Sequence, residues 1–158
     1  VGTGVNGDQT QYLNISSGAA YIFSKIDGFW EQTAYVKPSI NFLAGDQFGR
    51  SIAIDGSVLV VGSSSTSEAT GVSAEIKTGT APGSGAVWVF HLSNNSWKQT
   101  AYIKPLTVDS YDYFGGSVGI SKQYIVVGAA YEDSGAIGIG GNEYDNTITD
   151  SGAVYIFE

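Results

Sequence analysis

The sequence predicts an all-β fold of β-propeller blades, each of four antiparallel strands. It holds about two blades plus an extra strand, as an incomplete ring or an open or assembled array. Three observations carry this reading: an internal repeat with a period of 67, four strand-like runs in each period, and apolar side chains on both faces of those runs.

The repeat is direct. Ser17-Gly18-Ala19-Ala20-Tyr21-Ile22-Phe23 recurs as Ser84-Gly85-Ala86-Val87-Trp88-Val89-Phe90 and again as Ser151-Gly152-Ala153-Val154-Tyr155-Ile156-Phe157, each glycine one full period after the last. Trp30-Glu31-Gln32-Thr33-Ala34-Tyr35-Val36-Lys37-Pro38 matches Trp97 to Pro105 at the same spacing, with seven of nine positions identical. Asp46-Gln47-Phe48-Gly49-Arg50-Ser51-Ile52 pairs with Asp112 to Val118, and Val58 to Gly62 with Tyr124 to Gly128, both at 66. One residue lost near position 110 is restored in the loop that follows.

Each strand has its own chemistry. Strand A, Phe48–Ile54, and its counterpart are rich in small residues (Gly115, Gly116, Ser117, Gly119), as suits strands crowded near a propeller axis. Strand B is Val58–Val61. In strand C, Gly85–Phe90, alternate side chains point to opposite faces, yet both faces are apolar, so both must be packed. Strand D, Trp97–Lys104, mixes Lys98 and Thr100 with its apolar positions and is ended by Pro105, which suits an outer edge. A solenoid or a β-sandwich is the structural alternative. A β-helix has a much shorter coil, and a sandwich does not repeat at 67.

Two periods do not use up the chain, and residues 1–24 repeat the phase of 135–158. The expected strand order is C-D, A-B-C-D, A-B-C. It divides the chain into a partial blade at 1–47, a full blade at 48–111 and a partial blade at 112–158. Two blades' worth of strands with a surplus C cannot close a ring of roughly four to eight blades. Three explanations stand: a piece of a longer repeat protein, self-assembly in which the leading C-D of one chain completes the A-B of the next, or an open array or filament. A solitary monomer is the least expected state, because open apolar faces invite association.

Composition narrows the function classes. The net charge of −8 and pI near 4.4 argue against nucleic acid, whose phosphates need a basic surface. No run approaches the roughly 18–20 apolar residues of a membrane span, so no membrane insertion is expected. No charged-then-apolar leader opens the sequence, so any targeting segment lies outside it. Without cysteine there are no disulfides, thiol chemistry or cysteine-held zinc.

The pattern Phe-Gly-x-Ser-[Ile/Val], then Val-Val-Gly with two small residues, then Ser-Gly-Ala-Val-Tyr-Ile-Phe resembles the FG-GAP repeat, the blade of the integrin α-subunit head. It is most similar to the long-loop type of microbial and algal surface proteins. Gly128-Ala129-Ala130-Tyr131-Glu132-Asp133-Ser134 and Thr3-Gly4-Val5-Asn6-Gly7-Asp8-Gln9-Thr10 carry that likeness. The resemblance covers essentially the whole chain. It implies a non-enzymatic module outside the cell or on its surface, serving adhesion, ligand binding or surface architecture, and Ca²⁺ binding in some propeller loops. Copies of the chain, flanking repeats, or an extracellular protein or glycan are the expected partners. The runner-up function is a lectin-like module that binds glycan or protein through its long loops.

The loop between Gly128 and Gly152 holds the candidate calcium ligands Asp133, Asp145 and Asp150, with Glu132 and Asn142 beside them. Ca²⁺ takes about six to eight oxygens, which clustered carboxylates between glycines can supply. The Asp-x-Asp-x-Asp-Gly spacing is absent, and the matching loop of the preceding blade keeps only Glu68 and Glu75 and carries Lys77. The competing reading is an acidic solvated loop of Asx-turns. Catalysis has little to build on: His91 stands alone after strand C, and no phosphate-binding, nucleophile-elbow or zinc-protease motif occurs. Asn14-Ile15-Ser16 and Asn94-Asn95-Ser96 are candidate glycosylation sites in expected turns. Tyr12, Tyr111 and Tyr144 are loop aromatics able to stack on a sugar or a partner.

Overall fold

The computed structural model describes residues 3–10, 15–39, 43–67 and 81–158. These contain nine strands and no helix. β1 (Ala20–Ile26) and β2 (Phe29–Val36) form a two-stranded sheet. β3 (Ser51–Asp55), β4 (Val58–Ser63), β5 (Ala86–Ser93) and β6 (Ser96–Ile103) form a four-stranded sheet in that order. β7 (Ser117–Ser121), β8 (Tyr124–Ala129) and β9 (Ala153–Phe157) form a three-stranded sheet. All the pairs are antiparallel between sequence neighbours. The order is thus C-D, A-B-C-D, A-B-C, an incomplete propeller, and the sheets are called blades one, two and three below.

Local chemistry sets the hairpins. β1 turns into β2 through Asp27-Gly28, and β5 into β6 through Asn94-Asn95, with all four residues at positive φ. Two-residue loops of this kind match the twist of the strands they join and favour Asn, Asp and Gly. Both hairpins also carry a bulge at the same place, after Ile22 and after Val89. The residue passed over is a threonine whose hydroxyl donates to the strand C carbonyl, Thr33 to Ile22 and Thr100 to Val89, each at 3.3 Å.

The strand A positions begin later than the sequence pattern suggests. Phe48 and Phe114 are not ladder residues of their own sheets but form parallel bridges to Gly18 and Gly85 of the preceding blade. Gly49 and Gly115, at φ of 92° and 82°, then turn the chain into β3 and β7. Strand B extends to Ser63, and strand C to Ser93, because the four-stranded ladder continues pairing through those residues.

The core lies between blades. Ala20, Ala34 and Val36 of blade one share a cluster with Phe48, Leu59, Trp88, Phe90 and Tyr102 of blade two. Val60, Val87, Val89 and Ile103 of blade two share the next with Phe114, Val127, Tyr155 and Phe157 of blade three. Each blade therefore presents an aromatic face to the blade before it and a small, aliphatic face to the blade after it. Edge-to-face contacts order the aromatic side: Phe48 lies 5.5 Å from Trp88, and Phe114 lies 5.3 Å from Tyr155.

Candidate functional site

The surfaces that repeat inside the chain also stand open at its two ends, and the inner junctions show what such a surface takes. At the junction of blades one and two, the Phe48 N–H donates to Ser17 O at 2.8 Å. At the next junction the Phe114 N–H donates to Ser84 O at 3.0 Å. The intervening glycines are pressed against backbone: a Cβ on Gly18 would lie 2.1 Å from Phe48 O, and one on Gly85 would lie 1.9 Å from Phe114 O. Glycine is the residue that lets two chains approach this closely.

Within each of these two blades a buried lysine at the end of strand D is tied to the serine before strand C. Lys37 Nζ donates to Ser17 Oγ at 2.8 Å, and Lys104 Nζ donates to Ser84 Oγ at 2.6 Å. Burial lowers the Lys37 pKa, and the charge of Asp46 opposes that shift. The Asp46 carboxylate also accepts the Leu43 N–H at 2.7 Å, and Ser63 Oγ donates to the Asp46 carbonyl. Rings mark the same level of the sheet. Tyr35 lies 5.3 Å from Tyr21, and Tyr102 lies 5.1 Å from Trp88.

At the far end these surfaces stand open. Among the described residues, a Cβ on Gly152 would come no closer than 3.2 Å to any atom, the nearest being Ala130 O. Val154 and Ile156 are each 69% exposed, where their counterparts Val87 and Val89 are 0% and 4%. At the near end, Tyr21 and Phe23 are 49% and 53% exposed, where the matching Trp88 and Phe90 are fully buried. An open cleft of about 850 Å³ adjoins the far end, lined in part by Arg50, Tyr113, Tyr131, Gly152 and Val154. The chain thus carries an uncovered aromatic face and an uncovered aliphatic face.

The acidic loop before β9 is folded on its own polar groups. Glu132 Oε2 accepts the Ser134 N–H at 2.9 Å, and Asp133 Oδ1 accepts the Asp150 N–H at 2.8 Å. Asp145 Oδ1 accepts from Thr147 N, and Asn142 Oδ1 from Tyr144 N, both Asx-turns. Among the described residues no three Asp, Glu or His side chains come together in a way that could hold a metal. Asp133 and Asp150 are joined by one hydrogen bond, while Glu132 and Asp145 serve separate turns.

Sequence reading missed the acid that the fold buries. Asp112 is buried, and its carboxyl is raised to about 6, first by burial and then by the charge of Asp109, with Glu132 and Asp133 adding to it. A hydrogen bond from the Asp109 backbone works the other way. Burial, with Glu132 as the largest charge contribution, also pushes the Tyr155 hydroxyl well above its usual range. The signal available was the match of Asp112 to Asp46, which is likewise buried.

His91 holds a structural place, its Nδ1 2.7 Å from Thr100 Oγ1 at the bulge. Asn94 sits exposed in the β5–β6 turn. Tyr111 and Tyr144 are exposed at 57% and 71%. Asn14, Tyr12, Glu68, Glu75 and Lys77 lie outside the described residues. No helix among the described residues is long and apolar enough to cross a membrane.

Compared with known protein families, the FG-GAP repeat matches twice, over residues 30–90 and 97–157, together more than half of the chain. Each match runs from strand D of one blade to strand C of the next. No curated protein matches.

Proposed function

Because the chain belongs to the FG-GAP repeat family, we propose that it is a non-enzymatic extracellular segment of adhesive or structural character, acting within a larger repeat protein, oligomer or filament. FG-GAP repeats are typical of surface proteins and are generally not enzymes. The observation that carries the assembly reading is the pairing of uncovered faces. Val154 and Ile156 at one end occupy the positions that Val87 and Val89 use to receive Phe114, Tyr155 and Phe157. Tyr21 and Phe23 at the other end occupy the positions that Trp88 and Phe90 use to pack on a preceding blade. Buried aliphatic and aromatic side chains contribute on the order of 1.5–3 kcal/mol each relative to exposure, so several left open favour association.

Light scattering on the native chain, set against a Val154→Asp, Ile156→Asp double variant, tests the reading. The native chain is expected to exceed the 16.5 kDa of one copy and the variant to revert to it. Native chains that stay at 16.5 kDa across the concentration range would sink the assembly reading.

A further inference from the structure

We propose that Asn94 is a glycan acceptor, its side-chain amide carrying an N-linked oligosaccharide on the β5–β6 turn, at the end of blade two remote from the junction contacts. The inference rests on the extracellular reading, because the transfer takes place along the export route, and adds a modification and its position.

The acceptor motif is complete and its polar atoms are uncommitted. Asn94-Asn95-Ser96 is an Asn-x-Ser sequon, the pattern that marks an asparagine for glycan transfer on the surface loop of an exported chain. Residues 91–96 are all exposed. Among the described residues neither the Asn94 amide nor the Ser96 hydroxyl makes a hydrogen bond, so both are open to a transferase. The turn is nonetheless well held. Ser93 pairs with Ser96, and Trp97, next in the chain, is buried in the cluster shared with blade one.

The fold does not ask for these residues. The matching turn of blade one is Asp27-Gly28, followed by Phe29 where blade two has Ser96. Asp27 and Asn94 take nearly the same conformation, φ 49° and 50°, so a two-residue turn of this class accepts either. Gly28 is the easier residue at the second place, since it has no Cβ to strain at positive φ, and blade two has Asn95 there. Blade two thus sets an amide at one end of the triplet and a hydroxyl at the other. Blade one has a carboxylate and an aromatic ring at those places, and a carboxylate offers no nitrogen to glycosylate.

The position suits a bulky, hydrated group. The bonds of Ser84 to the Phe114 N–H and to Lys104 Nζ lie at the opposite end of β5, whose eight residues span about 26 Å. The neighbour at the Asn94 end is the β3–β4 turn, whose Ser57 O accepts the Leu92 N–H at 2.8 Å. An oligosaccharide there extends into solvent, away from those contacts between blades. In the transfer, the Asn94 amide nitrogen bonds to the anomeric carbon of a lipid-pyrophosphate-linked oligosaccharide. The carbon–oxygen bond to the pyrophosphate breaks, the lipid pyrophosphate leaves, and one amide proton passes to a base on the transferase. Nothing is oxidised or reduced.

Trypsin isolates the position, because cutting after Lys77 and Lys98 releases residues 78–98 with Asn94 in their only sequon. The native protein is collected from outside its cells and from within them, and this peptide is measured by mass spectrometry before and after glycosidase treatment in heavy-oxygen water. A glycopeptide that the enzyme returns with heavy oxygen at position 94 is expected in the outer fraction. In chains secreted from a eukaryotic host, Asn94→Gln and Ser96→Ala are each expected to abolish the modification and Ser96→Thr to retain it. Asn94→Asp, which copies the turn of blade one, is expected to abolish it with the hairpin kept. An unmodified 78–98 peptide on chains found outside the cell overturns the inference and leaves the extracellular reading standing. Modification that survives Ser96→Ala, or that is confined to the peptide holding Asn14, overturns the inference as well. A chain found only inside its cells, with this peptide unmodified, overturns both readings together.

Discussion

Gly85 and Phe114 form a parallel bridge so close that a methyl group on Gly85 would stand 1.9 Å from the Phe114 carbonyl oxygen. Gly152 has nearly the same backbone, φ 79° against 80°, but among the described residues it has no bridge partner, and the atom nearest such a methyl is Ala130 O at 3.2 Å. The pair separates two costs of replacing glycine. Gly152→Ala meets the left-handed backbone penalty, about 1–2 kcal/mol, and one tight contact with Ala130 O that a small shift relieves. Gly85→Ala adds a clash with backbone that has nowhere to move and is expected to cost at least about 3 kcal/mol. Urea unfolding of both variants checks this. Equal losses would mean that the junction is looser than the bridge implies.

Ser84 and Ser151 give a second matched pair. Ser84 Oγ accepts the buried Lys104 ammonium, and its loss removes an acceptor from a charge held away from water. Hydrogen bonds to charged groups are worth about 1.5–3 kcal/mol, so Ser84→Ala is expected to destabilise by that amount. Among the described residues Ser151 receives no lysine, and it is exposed, so Ser151→Ala should cost less than about 1 kcal/mol. The comparison belongs in dilute solution, where one chain is measured by itself. A larger loss at Ser151 than at Ser84 would mean that the lysine bond contributes nothing to the stability of blade two.

The period, the strand order and the end faces were legible in the sequence because they are written in alternation. Val87 and Val89 face one neighbour, Trp88 and Phe90 the other, and a period of two reads this without coordinates. The start of strand A was not legible. Phe48 has strand-like character, yet its partner is Gly18, far back along the chain in another blade, and only tertiary structure supplies that bridge. The acidic loop was legible as acidic but not as a site. Spacing cannot tell a carboxylate that caps a turn from one that waits for an ion, and Asp133 and Asp145 turn out to accept backbone N–H groups. Asp112 escaped notice because its burial comes from the fold.

Those turn bonds predict the response to calcium. Glu132, Asp133, Asp145 and Asn142 each give one side-chain oxygen to a backbone N–H, and among the described residues no three acids converge, so binding an ion would require the loop to rearrange. Calcium at about 1 mM, or a chelator in its place, is expected to move Tm by less than about 1 °C. A site of about 10 μM affinity would instead add roughly 2.7 kcal/mol, several degrees for a chain of this size. A rise of that size on adding calcium would show that the loop rearranges around the ion.

Asp112 makes stability depend on pH in a defined window. Its carboxyl titrates at about 6 in the fold against 3.8 for an ordinary aspartate, because it is buried and lies near Asp109, Glu132 and Asp133. Between those values the folded chain holds a proton that the unfolded chain has released. Stability therefore falls as pH rises through this range, and the neutral acid's advantage is complete below about 4 and gone above about 6. Asp112→Asn keeps the neutral form at every pH and can still accept the Asp109 N–H. The variant should match the native chain near pH 4 and exceed it by on the order of 1–2 kcal/mol at pH 7.5. Denaturation of both proteins at a series of pH values measures the difference directly. A difference that stays flat from pH 4 to 7.5 would mean that Asp112 is ionised in the fold at no cost, with a partner for its charge that burial alone does not reveal.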